Sequence, residues 1–235
     1  MKQLISIKVV QFFLFEKLDL QIGDICGIFG PNGSGKSSLL DAVQIAMFGA
    51  NTRLASFNAQ ADEHMSNTRS IRGYCLGQYG ESIEDRVRDR ATTYITLLWR
   101  DTETREPVSM GVCLYAGIEG EGHEVLGRYL LRGVELSMGD HLDLIDGQER
   151  PREWAAFRHQ LQERSKVSGE DPLFRDSDRY MRAVLVALRG SSVPLTDAFA
   201  RAFRFALRMR FDKTVDQIVR NDVLCLLYTS PSPRD

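Results

Sequence analysis

The sequence predicts a mixed α/β fold. Three observations predict it. An apolar run at residues 25–29 leads into a glycine-rich loop and then into an amphipathic helical pattern. Alternating apolar stretches on either side read as β-strands. Beyond Pro151 the apolar spacing turns helical.

The elements follow in order. Leu4, Ile5, Ile7, Val9 and Val10 predict a strand over residues 3–10. Leu18, Leu20 and Ile22 alternate with Asp19 and Gln21, a second strand of a hairpin or edge pair, and Gly23 and Asp24 make a turn. Ile25, Cys26, Gly27, Ile28 and Phe29 suit a central strand covered on both faces. Leu39, Leu40, Val43, Ala46 and Met47 then fall at helical spacing from Lys36, and Phe48 and Gly49 close the pattern. Residues 50–80 read as surface structure with short helical pieces, and 81–90 as a solvated charge cluster. Residues 92–99, a turn at 100–106, a return at 108–115 and a third segment at 127–134 predict an antiparallel β layer added to the sheet that holds the loop.

Three helices are predicted after Pro151. Trp154, Phe157, Leu161 and Val167 mark one, and Tyr180, Val184 and Leu188 a second. The third covers 198–211, with Phe199, Phe203, Ala206 and Arg210 on one side and Arg201, Arg204 and Arg208 on another. Those arginines read as a solvated face; contact with DNA phosphates or an acidic neighbour is the alternative.

Composition bounds the class. The 235 residues carry 30 Lys+Arg and 32 Asp+Glu, a formal net charge of -2, with 43 % apolar and 26 % charged residues. That balance suits a globular chain of one or two domains and excludes a disordered charged tail. No apolar run reaches the ~18 residues of a membrane helix, and the N-terminus alternates rather than forming a signal core. No membrane association and a cytoplasmic location are expected. Charge is uneven: residues 1–149 hold 14 Lys+Arg against 21 Asp+Glu, the rest 16 against 11. Cys26, Cys75, Cys113 and Cys225 include no C-x-x-C pair, so no structural zinc site is expected, and Cys26 reads as buried.

Gly30, Pro31, Asn32, Gly33, Ser34, Gly35, Lys36 and Ser37 match G-x-x-x-x-G-K-[ST]. Each fixed position has a chemical reason. Glycines let successive N–H groups close on a phosphate, and the helix starting at Lys36 adds its free N–H groups and positive end. Lys36 should reach the β- and γ-phosphates, and Ser37 should hold Mg²⁺ through its hydroxyl. A chance match in a chain of this length is on the order of 1 %. The motif predicts nucleotide and Mg²⁺ binding in a P-loop NTPase fold. Elsewhere the bland readings prevail. Residues 142–146 mimic an apolar strand ending in Asp143 and Asp146, but Gly147 follows and no Glu adjoins. Gln78 reads as a loop residue, and His64, His123, His141 and His159 show no partner pattern.

Residues 30–41, GPNGSGKSSLLD, followed by Ala42, Val43 and Gln44, resemble the N-terminal head half of SMC, MukB and Rad50-type ATPases. Residues 49–53, 68–77, 91–95 and 205–223 resemble the MukB-like SMC subunit of Wadjet and MksB-type condensin systems. The resemblance implies an ABC/SMC-type half head, with residues 1–150 as the P-loop lobe and 151–224 as a helical segment leading toward a coiled coil absent from this sequence. It places ATP and Mg²⁺ on Gly30, Asn32, Gly33, Ser34, Gly35, Lys36, Ser37 and Ser38, and basic residues near nucleotide or DNA at Arg53, Arg69 and Arg72. It implies a second SMC-like head in a homodimer, kleisin-like and small accessory subunits, and double-stranded DNA as partners, in plasmid defence or chromosome condensation. The family's catalytic Asp, Glu and Ser-Gly-Gly signature lie in its C-terminal half, and none is recognised here, so no catalytic residue is assigned. A Rad50- or RecF-type repair ATPase and an isolated nucleotide-binding module are the alternatives. Residues 225–235 resemble a translated sequencing adapter and are expected to be a non-native tail on a longer natural chain.

Overall fold

The computed structural model describes residues 1–31, 33–55, 70–80, 82, 84–166, 168–189 and 196–208. They fall into two compact units, Met1–Pro194 and Leu195–Asp235. The adapter-like residues 225–235 lie outside the described residues.

The first unit is built on one antiparallel sheet. Its strands are β1 (Lys2–Phe12), β2 (Phe15–Gln21), β3 (Arg90–Asp101), β4 (Pro107–Gly117), β5 (Glu124–Arg132) and, after a separate hairpin of β6 (Leu142–Ile145) and β7 (Gln148–Pro151), the short β8 (Leu173–Phe174). The order is β2-β1-β3-β4-β5-β8. Val9 of β1 faces Leu18 of β2 and Ile95 of β3, and Ile95 in turn faces Val112 of β4. The strands expected at 3–10, 92–99, 108–115 and 127–134 are all present, each with bounds slightly different from the sequence pattern.

The expected central strand at 25–29 is not formed. Ile25 is 97 % exposed and Phe29 94 % exposed. Cys26 is exposed as well, contrary to its reading as a core residue. A continuous apolar run states a demand for cover on two faces, not its supply. The places beside β1 are taken by β2 and β3, and no described strand pairs with residues 25–29. The antiparallel strands are therefore the main sheet, not a layer added to another one. Its true central strands are β1, β3 and β4, where burial is continuous over residues 6–10, 93–98 and 108–114. Even Lys8 is only 5 % exposed; its Nζ donates to Ser6 Oγ at 2.6 Å and stands 3.4 Å from Asp19.

Side-chain alternation gives β3 two different faces. Tyr94 and Thr96 point to a cover made by a 3-10 turn (Met138–His141), the β6–β7 hairpin and helix α3 (Trp154–Ser165), where Val10, Tyr94, Cys113, Tyr129, Leu131, Leu136, Phe157 and Leu161 form one core. Two glycines make room for it. A Cβ at Gly111 would collide with Ile95 O and the Tyr129 hydroxyl, and one at Gly127 with the Trp154 ring. The opposite face carries α1 (Lys36–Met47) and α2 (Ile71–Leu76). The C-terminal end of α1 is seated by Tyr180 of α4 (Ser177–Arg189), whose hydroxyl donates to Ala46 O at 2.9 Å. Just beyond it, Arg128 Nε donates to Gly49 O at 2.6 Å, a cation placed where helix carbonyls are unsatisfied.

The second unit contributes α5 (Thr196–Arg208), whose Phe199 and Phe203 rings stack with centroids 5.6 Å apart. Arg201 is exposed; the side chains of Arg204, Arg208 and Arg210 lie outside the description. No described helix is long and apolar enough to cross a membrane.

A polar chain runs through the core and sets a pH dependence. His141 is 1 % exposed, with Nδ1 at 2.9 Å from Ser137 O and Nε2 at 2.7 Å from Thr96 Oγ1. The carbonyl can only accept, so Nδ1 carries the proton and Nε2 accepts from Thr96, which leaves Thr96 Oγ1 to accept from Tyr129 OH at 2.6 Å. Burial holds the imidazole down to about 4. Its folded pKa lies below the unfolded value of about 6.5, so the unfolded chain binds the extra proton first. The stabilisation is full above that value and is lost as pH falls through the folded pKa. Between about pH 7 and about pH 5 the loss from this residue should be about 2 kcal/mol. Urea titrations at the two pH values check it; His141→Gln should flatten the difference, and a wild-type protein equally stable at both would contradict the network.

Candidate phosphate-binding site

The loop is shaped by its backbone. Gly33 has φ 82° and Gly35 φ 92°, both in the left-handed region. Ser34 N bonds Pro31 O at 3.3 Å, making a tight turn, and Gly35 then opens α1. A Cβ at Gly35 would stand 3.0 Å from Phe15 Cζ and 3.5 Å from Phe13 Cδ1, so glycine is needed for contact as well as for φ. The loop therefore leans on the turn between β1 and β2.

Among the described residues no side chain caps the start of α1. The opening N–H groups of a helix have no intrahelical acceptor, which is the electrostatic condition for holding phosphate. Lys36 Nζ donates to Gly30 O at 2.6 Å and Pro31 O at 2.7 Å. The ammonium thus folds back over the loop and closes it on itself. Ser37 is exposed in the first turn, whereas Ser38 is buried at 1 % exposure. Of the two hydroxyls, Ser37 is the one open to solvent and suited to a metal. The structure brings Gly30, Gly33, Ser34, Gly35, Lys36 and Ser37 into one loop and helix start; Asn32 lies outside the described residues.

Sequence reasoning missed what supports the loop helix. Asp41 is buried and accepts from the Tyr74 hydroxyl of α2 and from Gln44 Nε2 at 2.9 Å. Phe12 and Tyr74 stack with centroids 5.0 Å apart, and Phe13 N donates to Tyr74 O at 2.7 Å. Tyr74 therefore joins α1 to the β1–β2 turn. A buried acid on the loop helix was the available signal, because such a group needs a donor.

The other candidates fall elsewhere. Arg72 gives its guanidinium to Gly117 O at 3.2 Å and Ile118 O at 3.5 Å, a tie to the end of β4. Arg53 is exposed, and Arg69 and His64 lie outside the described residues. Gln78 Nε2 bonds Gly80 O at 3.2 Å, within its own loop. Asp143 pairs with Arg152 at 2.8 Å and Asp146 sits at the hairpin turn with φ 51°, so residues 142–146 form no metal-binding strand of the main sheet. His123 is half-buried, its pKa lowered by burial and by Arg128, and His159 lies 3.9 Å from Glu163 on the surface of α3. Among the described residues no cluster of His, Cys, Asp and Glu is placed to hold a metal.

The loop motif and a matching family model support a P-loop NTPase domain, here a mixed α/β unit with an antiparallel sheet core and flanking helices. The family described as "P-loop containing region of AAA domain" matches residues 4–64. The C component of the nuclease SbcCD of Bacillus subtilis (strain 168) is 45 % identical over 47 residues, which is 20 % of this chain and 4 % of that protein. The chain thus spans a small part of the length of that relative, and the likeness to SbcCD/Rad50-type ATPases is weak.

Proposed function

We propose that this chain is the ATP-binding part of an SMC/Rad50-type ATPase that acts on DNA. The observation that carries the reading is the loop at residues 30–37, closed by Lys36 and opening α1. Lys36 and the amides of Gly33, Ser34 and Gly35 hold the phosphates, and Ser37 supplies a hydroxyl to Mg²⁺. The ion serves to neutralise phosphate charge when bound. The motifs around residues 68–77 and 205–223 favour a MukB-like member of a Wadjet or condensin system, working as a homodimer with kleisin-like and accessory subunits on double-stranded DNA. The identity with the SbcCD protein favours the repair-type alternative.

Binding and turnover should separate. The carboxylate of the loop helix, Asp41, is buried and already accepts from Tyr74 and Gln44, so it is not free to position a water. ATP should bind in a Lys36-dependent way, while phosphate release stays at or near the uncatalysed background. A coupled phosphate assay on purified protein checks this. Fast Lys36-dependent turnover would overturn the separation; no ATP binding at all would overturn the functional reading.

A further inference from the structure

We propose that Arg88 is a positioning residue for the phosphate loop, acting through the β1–β2 turn. The inference rests on the nucleotide-binding reading above. The sequence pattern makes 81–90 a solvated charge cluster, yet the Arg88 side chain is only 9 % exposed. Its Nη1 donates to Phe13 O and to Cys75 O, each at 3.0 Å. Its Nη2 donates to Phe15 O at 3.4 Å and to the Glu16 carboxylate at 3.3 Å. One guanidinium thus gathers the β1–β2 turn and the end of α2.

The turn needs such a tie. Gln11 and Phe13 have φ 47° and 50°, left-handed conformations that cost non-glycine residues on the order of 1 kcal/mol or more each. Among the described residues the buried Arg88 Nε has no hydrogen-bond partner, an unfavourable arrangement that accompanies the reach of both terminal nitrogens to the carbonyls. The turn delivers the half-buried Phe15 ring to Gly35, whose φ of 92° sets the bend from loop to helix. Arg88 therefore fixes the wall against which the phosphate loop is folded, without touching phosphate itself. A lysine at this position keeps the charge but has a single donor head that cannot span Phe13, Phe15 and Cys75 together.

The test compares wild type, Arg88→Lys, Arg88→Met, Phe15→Ala, the Arg88→Met/Phe15→Ala double variant and Lys36→Ala by titration with a fluorescent ATP analogue, well below the melting temperature. Hydrogen exchange at the amides of residues 33–36, without nucleotide, is measured alongside. Arg88→Met and Phe15→Ala should each weaken binding by about 10-fold or more, and the pair together little more than either alone. Arg88→Lys should fail to restore affinity, and exchange should rise in the loop but not in β4. If Arg88→Met does not fold, Phe15→Ala and Arg88→Lys decide. Folded Phe15→Ala and Arg88→Lys proteins with wild-type affinity and loop exchange would overturn the proposal. Loss of the functional reading has another signature: wild type fails to bind, or Lys36→Ala binds equally well. The exchange data would then still decide whether Arg88 orders the loop.

Discussion

Lys36→Ala should weaken ATP binding by on the order of 10- to 100-fold while leaving the fold intact. The affinity term follows from charge-assisted hydrogen bonds to phosphate, about twice as strong as neutral ones and made by a compact ammonium that alanine cannot replace. The stability term follows from what Lys36 touches in the absence of ligand. Its Nζ bonds Gly30 O and Pro31 O, carbonyls of an exposed loop that water can satisfy. A shift within about 0.5 kcal/mol of wild type is expected in urea. Because those two bonds must open before phosphate enters, association should be slower than an open loop would give. Equal affinity of wild type and variant, measured by calorimetry, would remove Lys36 from the site.

Phe157→Ala should be the most damaging single truncation. The Phe157 ring meets Tyr94 at 4.9 Å, His141 at 5.0 Å and Tyr129 at 5.3 Å between centroids. It is fully buried and holds together both the core and the Thr96–His141 polar chain. Removing it costs the transfer energy of the ring plus that of the cavity, about 3–5 kcal/mol. For a unit of this size the melting temperature should fall by roughly 10 °C. Phe157→Leu should lose clearly less, because it refills part of the cavity. Since α3 and α1 lie on opposite faces of the sheet, the folded fraction of Phe157→Ala should still bind nucleotide. Circular dichroism melts give the first result and nucleotide titration in the cold the second; a loss under about 1 kcal/mol would mean the core is not centred on this ring.

The legible parts of the fold were those governed by local pattern. The phosphate loop follows from its motif, and α1, the strands β1 to β5 and the helices α3 and α4 follow from apolar spacing within their own residues. What escaped depends on partners far along the chain. Residues 25–29 have the composition of a central strand, but composition cannot say which strands pair, and the described sheet places β2 and β3 beside β1 instead. Arg88 sits among charged neighbours in sequence, and nothing local shows that Phe13 O and Phe15 O lie within its reach. His141 had no motif, because its role is set by Thr96 and Ser137. At the site itself, the glycines and Lys36 were readable. The Phe15 wall and the Tyr74–Asp41 bond were not, because they join segments 20 and 33 residues apart.

The most direct test of the central claim is an amide correlation spectrum of nitrogen-labelled protein titrated with ATP and Mg²⁺. The largest shifts should fall on Gly33, Ser34, Gly35, Lys36 and Ser37, with smaller ones at Phe15 and none in α3. Shifts confined to other residues, or no saturable shift at all, would contradict a phosphate-holding loop.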